Sequence, residues 1–132
     1  MLLRPRIFLA DDHHEFLAAE IALLQPHFEV VGTAYDGAAL VSGVQRLRPD
    51  VVVVDIFMPK MDGIEAVRNL IQSGSNAKFV FLTIHCSEEF VKTCLAQGAL
   101  GYVWKSRMKG HLIRAIHSAL DGSVYISPLS TS

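Results

Sequence analysis

The residues at the ends of the short apolar runs are of types that together describe phosphoryl chemistry. Asp11-Asp12 closes the run Ile7–Ala10, Asp55 closes Val51–Val54, Thr83 lies near the end of Phe79–Ile84, and Lys105 follows Leu100–Trp104. If these runs are parallel strands, their carboxyl ends share one rim, where open parallel sheets bind ligands. Carboxylates gathered there repel: a pair ~5 Å apart costs about 3 kcal/mol at an effective dielectric of ~20. A hard divalent cation such as Mg2+ relieves that repulsion, taking one or two carboxylates along with waters and phosphate oxygens. Lys105 adds a second positive charge, and Thr83 a hydroxyl donor for an anionic ligand. One carboxylate is then free to act as a nucleophile toward a phosphoryl group. An Asp ahead of a helix is most often a cap, so Asp11, Asp12 or Asp55 alone would read as structural. Their joint arrival at strand ends with Thr83 and Lys105 favours the chemical reading.

The elements that must position these groups are visible in the patterning. The apolar runs Ile7–Ala10, Phe28–Ala34, Val51–Val54, Phe79–Ile84 and Leu100–Trp104 are strand-sized, rich in β-branched or aromatic residues, and bounded by breakers. Between and after them lie helical stripes: Phe16, Leu17, Ile21, Leu24; Leu40, Val41, Val44, Leu47; Ile64, Val67, Leu70, Ile71; Phe90, Val91, Cys94, Leu95; and Leu112, Ile113, Ile116, Leu120. Asp36, Asp62 and Ser87 stand where helix caps belong. Asp62-Gly63-Ile64-Glu65 has capping-box spacing, Pro49 follows the second helix, and Gly98 suits the end of the fourth. Strict alternation predicts an α/β fold: a doubly wound, five-stranded parallel sheet in the order 2-1-3-4-5, flavodoxin-like, with helices on both faces and right-handed crossovers. Val51–Val54, apolar on both faces, belongs at its centre. Residues 122–132 read as a departing linker rather than another element.

Composition narrows the class. The chain has 132 residues, 51% of them hydrophobic, enough for one domain with a real core. Twelve basic residues against thirteen acidic ones leave a formal charge of -1, no electrostatic footprint for nucleic acid or anionic lipid. Its apolar stretches fall far short of the ~20 residues of a spanning helix, and Ile7–Ala10 is too short for a signal-peptide core. The expectation is a cytoplasmic protein whose two cysteines, Cys86 and Cys94, are reduced thiols.

Asp11-Asp12-His13, the Val51–Asp55 run with Met58-Pro59 and Met61-Asp62-Gly63, then Leu82-Thr83, Gly98-Ala99 and Gly101-Tyr102-Val103-Trp104-Lys105 occur in an order that resembles the receiver domain of bacterial two-component response regulators. The likeness covers residues 5–121. Asp11-Asp12-His13 and the segment Gly122–Pro128 resemble the NarL/FixJ type, whose members carry a C-terminal helix-turn-helix DNA-binding domain. The resemblance implies Asp55 as phospho-acceptor. It implies Mg2+ held by Asp12, Asp55 and the Phe57 backbone carbonyl, with Asp11 acting through water. Lys105 and Thr83 would bind phosphoryl oxygens, and Thr83 with Tyr102 would form the switch, the Tyr102 ring swinging between exposed and buried states. Such a domain is a regulatory phospho-acceptor rather than an enzyme, at most catalysing its own phosphotransfer and dephosphorylation. Its implied partners are a sensor histidine kinase and a second copy of itself, with DNA reached only through an output domain beyond the linker at 122–132. Dimerisation through the first and fifth helices, dimerisation through the face of the fourth helix, fifth strand and fifth helix, and a monomer are all compatible with the sequence.

The chain departs from the pattern in places. Ser106 stands where proline often follows the lysine, and a cis bond without proline costs ~3 kcal/mol, so a trans Lys105–Ser106 bond is expected. Ile84 replaces a small residue beside the path of attacking water, and Phe57 and His85 flank the same site; their bulk is expected to lengthen the phosphoryl lifetime. His13-His14 reads as a cap-region or surface pair, since consecutive residues rarely aim at one ion. Cys86 reads as a small apolar filler, Trp104 as packing, and Pro59 and Gly63 as loop geometry. Rival readings are a haloacid-dehalogenase-like phosphatase, which needs a second Asp where Phe57 stands; a flavin domain, whose phosphate Asp11-Asp12 would repel; and a receiver working without phosphorylation.

Overall fold

The computed structural model describes residues 4–85 and 87–128. Along the chain run β1 (Arg6–Ala10), α1 (His14–Leu24), β2 (Glu29–Ala34), α2 (Gly37–Leu47), β3 (Val51–Val54), α3 (Gly63–Gln72), β4 (Lys78–Thr83), α4 (Glu88–Ala96), β5 (Gly101–Trp104), a 3-10 turn (Lys105–Arg107), α5 (Met108–Leu120) and β6 (Tyr125–Ile126). The strands form one sheet in the order β2-β1-β3-β4-β5-β6, with every pairing parallel. Each of the predicted strands and helices is present, in the predicted order.

Period-two alternation explains why the sheet is covered on both sides. Phe8 and Ala10, Val52 and Val54, Phe79 and Phe81 face a core shared with Leu40 and Val44 of α2, Ala66, Val67 and Leu70 of α3, and Val91 and Cys94 of α4. Ile7 and Leu9, Val51 and Val53, Val80 and Leu82 face the other core, filled by Leu17 and Leu24 of α1 and Leu112, Ala115, Ile116 and Ala119 of α5. Apolar residues on both faces make these runs continuous in sequence, as buried parallel strands require.

The caps act as their residue types dictate. Asp36 accepts from the Ala39 N–H at 2.8 Å, Asp62 from Glu65 N–H at 2.8 Å, and Ser87 from the N–H groups of Glu89 and Phe90. The chain turns out of α4 at Gly98 with φ +108, a value glycine adopts without strain. One stripe residue is less buried than its periodicity predicts: Ile71 is exposed, while the others are buried or half-buried. Cys94 is buried and free, and burial pushes its thiol up to about 12. Cys86 lies outside the described residues.

The linker reading of residues 122–132 is corrected at 125–126. After Gly122, Tyr125 and Ile126 pair with Gly101 and Tyr102, so the sheet has six strands. The cause is the open edge of β5, whose backbone groups need partners. Tyr125 N–H donates to Leu100 O, Ser127 N–H donates to Tyr102 O, and Ser127 Oγ accepts from Trp104 N–H, each at 2.9 Å. No helix among the described residues is long and apolar enough to cross a membrane.

Candidate functional site

The carboxyl ends of β1, β3, β4 and β5 bring Asp11, Asp55, Thr83 and Lys105 into one buried cluster, with Asp12 half-buried at its margin. Lys105 Nζ lies 2.7 Å from Asp11 Oδ2 and 3.1 Å from Asp55 Oδ2, bridging the ends of the adjacent strands β1 and β3. Burial raises the pKa of Asp55; the ammonium of Lys105 opposes this, the charge of Asp11 reinforces it, and a Thr83 hydroxyl hydrogen bond lowers it in part. For Lys105, burial pulls downward, but the hydrogen bond to Asp11 and the charges of Asp55 and Asp11 outweigh it, leaving the pKa above its ordinary value. Lys105 therefore stays charged as the counter-ion of the carboxylates. Its ammonium also sits 4.5 Å above the Phe16 ring, a contact that fixes the head group from below.

The placement of Asp55 depends on glycine. A Cβ at Gly63 would lie 2.0 Å from the Asp55 backbone oxygen, so α3 can start against the Asp55 loop only without a side chain there. Gly63 N–H donates to Ile56 O at 2.6 Å, closing that loop. There are no cis peptide bonds among the described residues, and Lys105–Ser106 is trans, as expected.

The acidic groups fit a divalent cation. Asp11, Asp12, Asp55 and His13 each present a donor atom, all within 4.8 Å of one another, and Asp12 Oδ1 is buried without a hydrogen-bond partner. Such an arrangement of oxygen donors suits Mg2+. His13 is the surprise: its Nδ1 stands 3.2 Å from Asp11 Oδ1 and 3.3 Å from Asp12 Oδ1. The cap-region or surface reading holds for both histidines: His14 stacks on Tyr35 at 4.0 Å, and His13 is exposed at the N-cap of α1, from where its ring also faces the acids.

Around the cluster lie the other residues singled out from sequence. The ring of Phe57, 47% exposed, meets His85 at 4.4 Å and Phe90 at 5.7 Å, forming an aromatic roof between the Asp55 loop and α4. Ile84, 65% exposed, shares a groove with His13, Phe16 and Lys105. Tyr102 is fully buried and its hydroxyl donates to His85 O, while Trp104 Nε1–H donates to Ile84 O at 2.9 Å. Two β5 side chains thus hold the segment that follows Thr83, so Trp104 does more than pack.

Sequence reasoning missed Glu20, the place of Phe90 beside Phe57 and His85, Tyr125 of β6 and Ser127 just after it. Glu20 is 1% exposed, and burial raises its carboxyl pKa well above the ordinary value, with the charges of Asp11 and Asp55 adding and Lys105 opposing. An acid interrupting the Leu17–Ile21–Leu24 stripe was the available signal.

The model of the response regulator receiver domain matches residues 7–117. The transcriptional regulatory protein DegU of Brevibacillus brevis is 39% identical over 128 residues, covering 96% of this chain and 54% of its own length. The chain thus spans about half the length of that curated relative. Among solved structures, a LuxR-family two-component response regulator from Aurantimonas sp. SI85-9A1 superposes with a TM-score of 0.89 at 33% identity, covering 95% of this chain and 91% of that one. The signal receiver domain of NarL from Mycobacterium tuberculosis gives 0.87 at 27% identity, covering 92% and 99%. With its flavodoxin-like sheet and its acid–lysine cluster, the chain belongs to the response regulator receiver domains of two-component systems, and its homologues are response regulators of the NarL/LuxR family.

Proposed function

We propose that this domain is a phosphorylation switch with Asp55 as the acceptor. The observation that carries the reading is the buried bridge from Lys105 to both Asp11 and Asp55, with Thr83 within hydrogen-bonding reach of Asp55. Asp12, Asp55 and the Phe57 backbone carbonyl would hold Mg2+ directly and Asp11 through water; when bound, the ion supplies positive charge against the phosphoryl oxygens. An Asp55 carboxylate oxygen bonds to phosphorus as the bond from phosphorus to the donor's imidazole nitrogen breaks, the donor being the histidine of a sensor kinase. Lys105 takes one phosphoryl oxygen and Thr83 donates to another, which draws Thr83 toward the site. Tyr102 and Trp104 grip the backbone carbonyls just after Thr83, so that displacement passes into α4 and β5, the Tyr102 ring moving between buried and exposed positions. Phe57, Ile84 and His85 screen the phosphoryl group from water and lengthen its life. The rival phosphatase reading needs a carboxylate where the Phe57 ring packs on His85.

In this reading the domain is a cytoplasmic regulator rather than an enzyme. It acts on DNA through an output domain, and both a homodimer and a monomer are compatible with it. Intact mass after incubation with acetyl phosphate tests the core claim. A single phosphoryl adduct that requires Mg2+ and is absent in Asp55→Asn supports it; no adduct on folded protein with Mg2+ present overturns it.

A further inference from the structure

We propose that Ser127 is a clasp that ties the state of Asp55 to the chain leaving β6, and that phosphorylation tightens it. The inference rests on the phosphorylation reading above and names a route by which that switch reaches the tail of the domain. The tail inverts the usual order of burial: Ser127 is 1% exposed, whereas Val124 and Ile126 are 56% and 43% exposed. Hydrogen bonds rather than apolar packing therefore hold the end of this segment. Ser127 N–H donates to Tyr102 O, and Ser127 Oγ accepts from Trp104 N–H, both at 2.9 Å. The serine hydroxyl takes the bond that a backbone carbonyl accepts in a regular parallel ladder, so the seat is specific to this side chain.

The two β5 residues that seat Ser127 also hold the loop behind Thr83. The Tyr102 hydroxyl donates to His85 O, and Trp104 Nε1–H donates to Ile84 O at 2.9 Å. Within that loop, His85 N–H donates to Thr83 Oγ1 at 3.3 Å, and the Thr83 hydroxyl in turn bonds to Asp55. Tyr102 and Trp104 thus each reach the acceptor side through the side chain and the tail through the backbone. A ring that leaves its loop carbonyl removes one anchor from the end of β5, and the backbone groups that seat Ser127 lose their fixed place. The two-state element is this pair of rings, and both Asp55 and the tail bias it.

The sign follows from what occurs together. In this structure the Tyr102 ring is buried on His85 O, Thr83 is turned to Asp55, and Ser127 is seated. A phosphoryl group on Asp55 gives Thr83 a stronger acceptor and so favours this whole set of contacts, which fastens the tail. The Tyr125 hydroxyl, 2.5 Å from His111 Nδ1, ties the segment to α5 as well, so release at Ser127 loosens the tail without freeing it from the domain.

Amide exchange followed by NMR on the full chain tests the clasp, with beryllium trifluoride and Mg2+ standing in for the phosphoryl group. Tyr125 N–H, bonded to Leu100 O, and Ser127 N–H report on the tail. Ser75 N–H, bonded to Leu70 O ahead of β4 at the other end of the sheet, is the reference. Coupling between two sites is commonly about fivefold or more and acts equally in both directions. Protection at Tyr125 and Ser127 is therefore expected to rise at least about fivefold on binding, while Ser75 changes less than about twofold. Ser127→Pro, which loses both bonds, is expected to bind beryllium trifluoride at least about fivefold more weakly, and Ser127→Ala, which loses only the acceptor, by a smaller factor. A tail that merely packs would change stability and leave that affinity alone. Binding with the tail's protection unchanged or lowered, or with parent-like affinity in both variants, overturns the clasp and leaves the Asp55 reading standing. If beryllium trifluoride does not bind and acetyl phosphate gives no adduct on the folded chain, the clasp falls together with the switch.

Discussion

Glu20 shows how one residue can work against the fold that holds it. It lies on the buried face of α1 between Leu17 and Leu24, 1% exposed, with Oε2 lacking a hydrogen-bond partner. Its carboxyl has a pKa well above the ordinary range because burial disfavours the charged form, with Asp11 adding and Lys105 partly offsetting. A folded-state pKa above the unfolded value adds no penalty below the unfolded value, about 4.3, and an increasing one as pH rises through the folded value. Glu20→Leu is therefore expected to stabilise the domain by about 1–3 kcal/mol at pH 8 and by less at pH 5. Denaturant unfolding of parent and variant across that range checks it, and a gap that narrows toward high pH would contradict the account. The acid was legible as a break in an apolar stripe. The approach of His13 to Asp11 and Asp12 was not, because it depends on a turn that periodicity does not describe.

At the scale of elements, the strands were legible because both faces of the sheet are covered, which turns each buried strand into an unbroken apolar run. β6 was not, since two residues, Tyr125 and Ile126, carry no periodicity and pair only because β5 offers an open edge. Its attachment rests on few bonds, among them Trp104 N–H to Ser127 Oγ at 2.9 Å and Ser127 N–H to Tyr102 O at 2.9 Å. Ser127→Ala removes one acceptor and is expected to cost about 1 kcal/mol. Amide exchange should then be faster at Trp104 and Ser127 and unchanged at Val53, in the middle of the sheet. The junction of β3 and α3 makes the opposite case, a contact with no slack. Because a Cβ at Gly63 would meet the Asp55 backbone oxygen at 2.0 Å, Gly63→Ala must shift the acceptor loop. A loss of about 3 kcal/mol is expected, at the upper end of overpacking costs, together with less phosphoryl adduct from acetyl phosphate. Full adduct yield in the variant would show that the loop tolerates the shift.

The cation site exists only at the scale of the whole molecule. Asp11 and Asp12 leave β1 and Asp55 leaves β3; the two strands are adjacent in the sheet but joined through α1, β2 and α2. Unfolding separates the carboxylates, so an ion that needs them together binds the folded chain and not the unfolded one. Linkage then sets the sign: binding stabilises by about 2.7 kcal/mol at a free ion concentration a hundred times the Kd. For a domain of this size that is a rise in melting temperature of roughly 10 °C. Thermal unfolding at increasing Mg2+, at constant ionic strength, is expected to show a climb that, plotted against the logarithm of concentration, steepens once the Kd is passed. Asp12→Asn takes one charge out of a cluster of mutually repelling carboxylates, so the variant should melt at or above the parent without Mg2+ and stay nearly flat as Mg2+ rises. Parallel climbs in parent and variant would mean that the ion acts through general screening. The Lys105 bridge would then serve as the counter-charge of Asp11 and Asp55, and the domain would hold its acidic rim together without a metal.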